Sequence, residues 1–161
     1  MNLKPNLILI MSIVVAYYHA VISTRYRRMT IDERYKGELY AYLSGILKNR
    51  SCTPLVINGV GDHIHLLFGL NPQVALSDLM RDLKRGSSLW LKREKSKFPL
   101  FEGWGKEYAA FGVNYARKHQ VADYILNQEA HHHAETFDHE LQRFVLAHEL
   151  PYRAYQPADD D

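Results

Sequence analysis

The stretch Gly61-Asp62-His63-Ile64-His65-Leu66-Leu67-Phe68 decides the fold, because it places two histidines at the start of an apolar run that follows a turn signal. Side chains at positions i and i+2 of a β-strand point to the same face of the sheet. His63 and His65 can therefore reach one metal ion, while Ile64 and Leu66 point the other way into a core. A His-x-His pair also occurs by chance, so the metal-site interpretation needs support from elsewhere in the chain.

A helical pattern over residues 121–130 gives that support, with apolar side chains at positions 121, 125 and 126. Tyr124 and Gln128 are four residues apart and therefore share one face of the predicted helix. The amide oxygen of Gln128 can serve as a third metal ligand, and a tyrosine beside a metal ion can attack phosphorus. The alternative is that Tyr124 is an ordinary amphipathic residue near the end of a helix.

Taken together, these residues resemble the HUH single-tyrosine transposases of small insertion sequences of the 200/605 type. The resemblance covers roughly residues 17 to 150, and its segments occur in the family's order and spacing. The matching segments are Tyr18-His19-Ala20-Val21, Thr24-Arg25-Tyr26-Arg27-Arg28, Gly61-Asp62-His63-Ile64-His65-Leu66-Leu67, Lys84-Arg85-Gly86-Ser87-Ser88, Trp104-Gly105-Lys106-Glu107-Tyr108 and Tyr124-Ile125-Leu126-Asn127-Gln128-Glu129-Ala130-His131-His132.

The order of the predicted elements indicates an α+β fold. Residues 7–22 predict a central strand that is apolar on both faces, and a capping box at Thr30 and Glu33 predicts the start of the first helix. Residues 54–57 and the histidine strand form a hairpin that turns through Asn58-Gly59. A helix from Ser77, a strand over residues 109–115 and two closing helices complete the domain. This succession predicts a ferredoxin-like antiparallel sheet with helices packed against it, and the resemblance implies the same HUH endonuclease fold.

Length and composition favour one domain with a sizeable core, since the chain has 161 residues, of which 47% are hydrophobic and 24% charged. We expect an extension and the start of the first strand at residues 1–16, the transposase domain at 17–150 and an acidic tail at 151–161. The single cysteine, Cys52, excludes an internal disulfide and fits a reducing cytoplasm. The uncharged stretch 7–22 is too short for a transmembrane helix, so we expect a cytoplasmic protein without membrane contact.

The distribution of charge is more informative than the net charge of +2. Residues 81–97 contain seven basic and two acidic side chains, whereas residues 129–161 contain eight acidic and two basic ones. A basic helix face can contact backbone phosphates, and the alternative is an ordinary solvated face. The candidate DNA-binding residues are Arg25, Arg27, Arg28, Arg81, Lys84 and Arg85.

These residues predict a mechanism in which a divalent ion held by His63, His65 and Gln128 polarises a phosphodiester while Tyr124 attacks it. The product is a 5′-phosphotyrosine intermediate and a free 3′-hydroxyl. Nitrogen ligands suit Mn²⁺ better than Mg²⁺, so we expect Mg²⁺ in cells with Mn²⁺ as a strong substitute. The resemblance implies single-stranded DNA as substrate, often with a hairpin beside the cut. It also implies a homodimer whose tyrosine helix completes the partner's metal site, although cis and trans assembly need the same side chains.

Two other classes of function remain open from the sequence. One is a metal-dependent hydrolase, in which His63 and His65 act with a third histidine, either His19 or one of residues 131–133, to activate water. The other is a module that binds DNA hairpins without cleaving them.

Overall fold

The computed structural model describes residues 13–132 and 135–161. The strands are β1 (Tyr17–Ser23), β2 (Thr53–Val60), β3 (His63–Gly69) and β4 (Ala109–Val113). The α-helices are α1 (Lys36–Asn49), α2 (Leu76–Arg93), α3 (Lys118–Leu126), α4 (Gln128–His132) and α5 (Phe137–Ala147). Within these two ranges, three short 3₁₀-helices cover Arg25–Arg27, Tyr115–Arg117 and Pro157–Asp160. None of the helices in these two described ranges has the length and apolarity needed to cross a membrane.

The four strands form one antiparallel sheet in the order β2-β3-β1-β4. With α1 between β1 and β2, and α2 between β3 and β4, this is the ferredoxin-like arrangement. The prediction of an α+β fold with a central first strand is therefore confirmed. The histidine strand β3 lies in the middle of the sheet, between β2 and β1. Its His65 pairs with Val21 of β1.

The strand alternation divides the sheet into two different faces. Ile64, Leu66 and Phe68 point into the hydrophobic core, where α1 and α2 cover them with fully buried leucines such as Leu39 and Leu83. Each fully buried leucine contributes about 1.5–3 kcal/mol to the stability of the fold. The opposite face carries His63 and His65, which alternate with these core residues along β3.

Two predicted boundaries differ from the structure at the amino-terminal end of the domain. β1 begins at Tyr17, residues 13–16 lie outside it, and the part of the prediction on residues 7–12 lies outside the described residues. The first helix begins at Lys36 rather than after Thr30, so the predicted capping box is wrong. The backbone N–H groups of Thr30 and Ile31 donate to the carbonyl of Gly61 instead, which holds this segment against the β2–β3 turn.

The β2–β3 hairpin is confirmed, but its turn is at Gly61-Asp62 and not at Asn58-Gly59. Asn58 and Gly59 continue β2, and a Cβ at Gly59 would overlap the carbonyl oxygen of His63. β4 ends at Val113, two residues before the predicted end. The predicted helix over residues 121–130 is interrupted at Asn127, where α3 ends before α4 begins.

Candidate metal centre and nucleophile

His63 and His65 lie side by side on the sheet face opposite the core, and both are fully buried. Their Nε2 atoms point to one place and make no well-aligned hydrogen bond with any residue that the structure describes. The nearest groups are the carboxylate oxygens of Glu140 on α5, at 3.2 Å from His63 and 3.4 Å from His65. The two rings therefore present unsatisfied ligand atoms to a site that already contains a carboxylate.

The other ring nitrogen of each histidine is held from behind. Nδ1 of His63 lies 2.6 Å from the carboxylate of Asp62, and Nδ1 of His65 lies 2.8 Å from Nε2 of His19. Such partners fix the orientation of metal-binding imidazoles. The hairpin turn and β1 thus aim both Nε2 atoms at the same point.

His132 on α4 joins this site, so that His63, His65, His132 and Glu140 have ligand atoms within 4.8 Å of one another. Nε2 of His132 lies 2.9 Å from the Glu140 carboxylate. Ligand atoms that surround one ion at about 2.1 Å are themselves about 3.0–3.4 Å apart. The distances from the Glu140 carboxylate to the three imidazole nitrogens, 3.2, 3.4 and 2.9 Å, therefore match those between neighbouring ligands of a divalent cation. Three nitrogens and one carboxylate suit a transition ion such as Mn²⁺ better than Mg²⁺.

Gln128, the third predicted ligand, is fully buried at the same site. Its amide nitrogen donates to Glu140 at 3.1 Å, and its amide oxygen lies 3.0 Å from Nε2 of His132. Gln128 thus contacts two members of the cluster while its oxygen points to His132. A half-turn of the amide group would exchange the two atoms.

Tyr124 on α3 places its hydroxyl at the edge of the cluster, where it donates a short hydrogen bond to Glu140. The guanidinium of Arg143 on α5 donates to the same phenol oxygen at 3.0 Å. Asn58 of β2 anchors the end of α3 by donating to the carbonyls of Ile125 and Leu126 at 2.9 and 3.1 Å. Tyr124 is therefore held beside the histidine pair of its own chain.

The electrostatics of the site are those of an ionised carboxylate among imidazoles. Burial opposes ionisation of Glu140, but the hydrogen bond with His132 and the close approach of His63 and His65 outweigh it and hold its pKa well below the usual range. Burial and the hydrogen bond to Glu140 raise the pKa of Tyr124. Burial tends to lower the pKa of His63, yet Asp62 and Glu140 raise it overall. A cation at this site would replace the proton that Glu140 favours on His63.

Two of the six candidate DNA-binding residues, Arg27 and Arg28, make ion pairs within the protein. Arg27 is mostly buried, with its guanidinium 3.9 Å from the centre of the Tyr155 ring, and it forms an ion pair with Asp138. This arginine therefore ties the chain after β1 to α5. Arg28 pairs with Glu102 at 3.1 Å.

The other four candidates are Arg25 and the α2 residues Arg81, Lys84 and Arg85. Arg81 pairs with Asp78 on its own helix at 2.9 Å. Arg25, Lys84 and Arg85 line one cavity of about 340 Å³. The structure thus brings three of the six candidate DNA-binding residues together.

Sequence reasoning missed Glu140 and Arg143, and it considered His132 as one of three histidines, residues 131–133, that could complete the metal site of a hydrolase. The sequence offers a weak signal for Glu140, namely a helix that starts after the N-cap Thr136, close to the histidine run. Its side chain reaches the site only because α5 packs across the histidine face of the sheet. His19, considered as a third ligand for a hydrolase, hydrogen-bonds His65 from behind instead.

Solved structures of transposases share this fold. A crystal structure of a putative transposase from Deinococcus radiodurans matches with a TM-score of 0.56 and 26% identity, covering 73% of this chain and 93% of that one. A structure of a REP-associated tyrosine transposase bound to a REP hairpin also matches with a TM-score of 0.56. Its identity is 15%, over 73% of this chain and 68% of that one.

The sequence relatives agree with the structural ones. The ISDra2 transposase TnpA of Deinococcus radiodurans is 25% identical over 69% of this chain and 82% of its own length. The transposase of insertion sequence IS200 from Salmonella typhimurium is 29% identical over 69% of this chain and 75% of its own. The family model described as "Transposase IS200 like" matches residues 12–128. The chain therefore belongs to the IS200-like transposase family, and the match ends before α5 and Glu140.

Proposed function

We propose that this protein cleaves and rejoins single-stranded DNA, with Tyr124 as the nucleophile and a divalent ion, Mg²⁺ or Mn²⁺, beside it. The observation that carries the proposal is the hydrogen bond from the Tyr124 hydroxyl to Glu140, the same carboxylate that both histidines of β3 face. This hydrogen bond links the nucleophile directly to the residues that could bind a cation.

The donor set consists of His63 and His65 with Glu140, and His132 and Gln128 lie close enough to complete it. The bound ion would polarise the scissile phosphate as a Lewis acid. Buried imidazoles held by Asp62 and His19 keep the donors in place without reorganisation.

The chemical step is a transfer of the phosphoryl group to tyrosine. A bond forms from the Tyr124 oxygen to phosphorus while the bond from phosphorus to the 3′ oxygen breaks, and that oxygen takes up a proton to become the free 3′-hydroxyl. Glu140 Oε1 accepts the hydrogen bond of the phenol and orients its oxygen, and the phenol proton is released to water as the bond to phosphorus forms. Arg143, at 3.0 Å from the phenol oxygen, stabilises the negative charge that develops there. Reversal of this step joins the phosphate to another 3′ end.

Hairpin-bearing single-stranded DNA is the substrate that the family resemblance favours, and one structural relative is bound to a REP hairpin. Arg25, Lys84 and Arg85 supply a shared basic cavity for backbone phosphates. We propose a homodimer with one cluster in each protomer. Tyr124 meets Glu140 within one chain, so no exchange of the tyrosine helix is needed.

One observation favours the hydrolase as a second candidate. His132 gives the pair on β3 the third histidine that such an enzyme needs. A hydrolase would cut DNA through an activated water and leave no protein adduct. A hairpin-binding module would bind DNA and leave it intact.

The test uses single-stranded DNA labelled on the 3′ side of the cut, incubated with the protein and Mn²⁺ and separated under denaturing conditions. We expect a labelled protein band that disappears in Tyr124→Phe and persists in Tyr115→Phe, a matched change at an exposed tyrosine. Cleavage without a labelled band would establish the hydrolase instead, and binding without cleavage would establish the module.

A further inference from the structure

The acidic tail is bound to the rest of the protein through Asp160, which is only 8% exposed. Its two carboxylate oxygens accept hydrogen bonds from the backbone N–H groups of Tyr26 at 2.8 Å and Lys106 at 2.7 Å. The Tyr155 hydroxyl donates to the same carboxylate at 2.9 Å. Arg25 donates to the Asp160 carbonyl at 3.1 Å. Two separate loops thus converge on a single carboxylate.

The backbone around this carboxylate is shaped for close approach. Tyr26 has a φ of 57°, a left-handed conformation that side chains other than glycine rarely adopt. Gly105 lets its loop come near, because a Cβ there would lie 3.1 Å from the Asp160 carboxylate and 3.0 Å from the Ser23 hydroxyl. Strained backbone of this kind concentrates at binding sites.

Asp160 lies at the wall of the basic cavity of about 340 Å³. The cationic side chains in that wall are Arg25, Lys84, Arg85, Lys92 and Lys106. The neighbouring Asp161 adds two contacts, because its carboxylate accepts from the Tyr26 hydroxyl at 2.8 Å and its carbonyl accepts from the Lys106 ammonium at 2.7 Å. The tail therefore places two negative side chains beside these five cationic ones, and Glu102 is a further acidic side chain in the wall.

Backbone N–H groups and a hydroxyl that converge on one anion, with a guanidinium beside them, are also what binds a phosphate. Burial tends to raise the pKa of Asp160, but hydrogen bonds from the N–H groups of Lys106 and Tyr26 lower it overall. The tail carboxylate therefore stays ionised in this place. It therefore presents the charge that a phosphate would present.

We propose that this basic cavity is a backbone-phosphate site for single-stranded DNA, and that Asp160 occupies it as an internal competitor when DNA is absent. The proposal rests on the proposed function in one respect, that DNA is the ligand. DNA binds only to the fraction of molecules whose tail has left the site, so the tail lowers the apparent affinity by that fraction. The tail thereby limits how readily the enzyme engages DNA.

The experiment measures binding of a short, unstructured, fluorescently labelled single-stranded oligonucleotide in EDTA, where no cleavage takes place. We expect Asp160→Asn to bind about tenfold more tightly than the natural chain. We also expect its plot of log affinity against log salt to be steeper by about 0.7, the slope for one additional phosphate contact. Adding Arg25→Gln to Asp160→Asn should remove most of this gain.

Two further variants keep the test decisive. Glu149→Gln removes one negative charge from an exposed residue, and an equal gain in that variant would overturn the proposal, because net charge alone would explain it. If Asp160→Asn does not fold, Tyr155→Phe removes one contact to Asp160 but keeps the ring over Arg27. Unchanged DNA affinity in a folded Asp160→Asn variant would refute the proposal. If Tyr155→Phe has to be used instead, unchanged DNA affinity in that variant would refute it. Because binding alone is measured, a failure of Tyr124 chemistry would leave the result intact.

Discussion

Replacing Glu140 with glutamine keeps the shape of the side chain but removes the charge that both histidines of β3 face. Glu140 is completely buried, and its partner His63 has a raised pKa because Asp62 and Glu140 favour its proton despite burial. Neutralising one partner of a buried ion pair costs about 3–5 kcal/mol. For a domain of this size, 1 kcal/mol shifts Tm by roughly 2–4 °C. The metal-free variant should therefore melt about 6–20 °C below the natural protein.

Metal binding should weaken in the same variant, because the cluster loses its one charged ligand. Even partners that only orient ligands change metal affinity by about 10- to 100-fold, so we expect at least that loss for Mn²⁺. Melting is followed by circular dichroism in EDTA, and Mn²⁺ binding by the loss of the free-ion signal in electron paramagnetic resonance. Glu135→Gln is the matched control, since Glu135 pairs with Arg143 at 2.8 Å and is outside the cluster. Natural Mn²⁺ affinity in Glu140→Gln would refute this account of the site.

Three other outcomes follow from the same geometry. Mixing Tyr124→Phe with His63→Ala should not restore adduct formation, because the two groups meet within one chain, and restored adduct in the mixture would show trans assembly. Arg143→Gln should slow adduct formation about 10²-fold at unchanged Mn²⁺ affinity, and a variant as fast as the natural protein in single-turnover assays would remove Arg143 from the mechanism. Burial lowers the pKa of His19 to about 3 and of His65 to about 4. Between pH 6.5 and about 4 the unfolded chain therefore binds more protons than the metal-free folded one. Stability should fall on acidification by up to about 1.4 kcal/mol per pH unit for each histidine, and urea denaturation that is flat over this window would contradict it.

Local periodicity was enough to predict the sheet and the two helices that cover its core. The alternation around His63 and His65 specifies both faces of β3, and the structure places Ile64 and Leu66 in the core as predicted. Boundaries were less predictable where tertiary contacts decide them. Thr30 has the sequence of a helix cap, but its backbone N–H pairs with Gly61 across the fold.

The residues of the candidate site were predictable only where they lie close together in the sequence. Tyr124 and Gln128 are related by helical spacing, and both donate to Glu140 in the structure. Glu140 itself lies on a separate helix, and no spacing rule connects α5 to the hairpin of the sheet. Net charge likewise could not reveal that Arg27 is used by the fold, since its partners Asp138 and Tyr155 are distant in sequence.

The most direct measurement of the central claim is mass spectrometry of the protein after reaction with single-stranded DNA and Mn²⁺, followed by nuclease and protease digestion. The proposed mechanism predicts a nucleotide remnant linked through a 5′-phosphate to the peptide that contains Tyr124, and an unmodified Tyr115 peptide. A remnant on a different residue, or cleaved DNA with every tyrosine peptide unmodified, would contradict it.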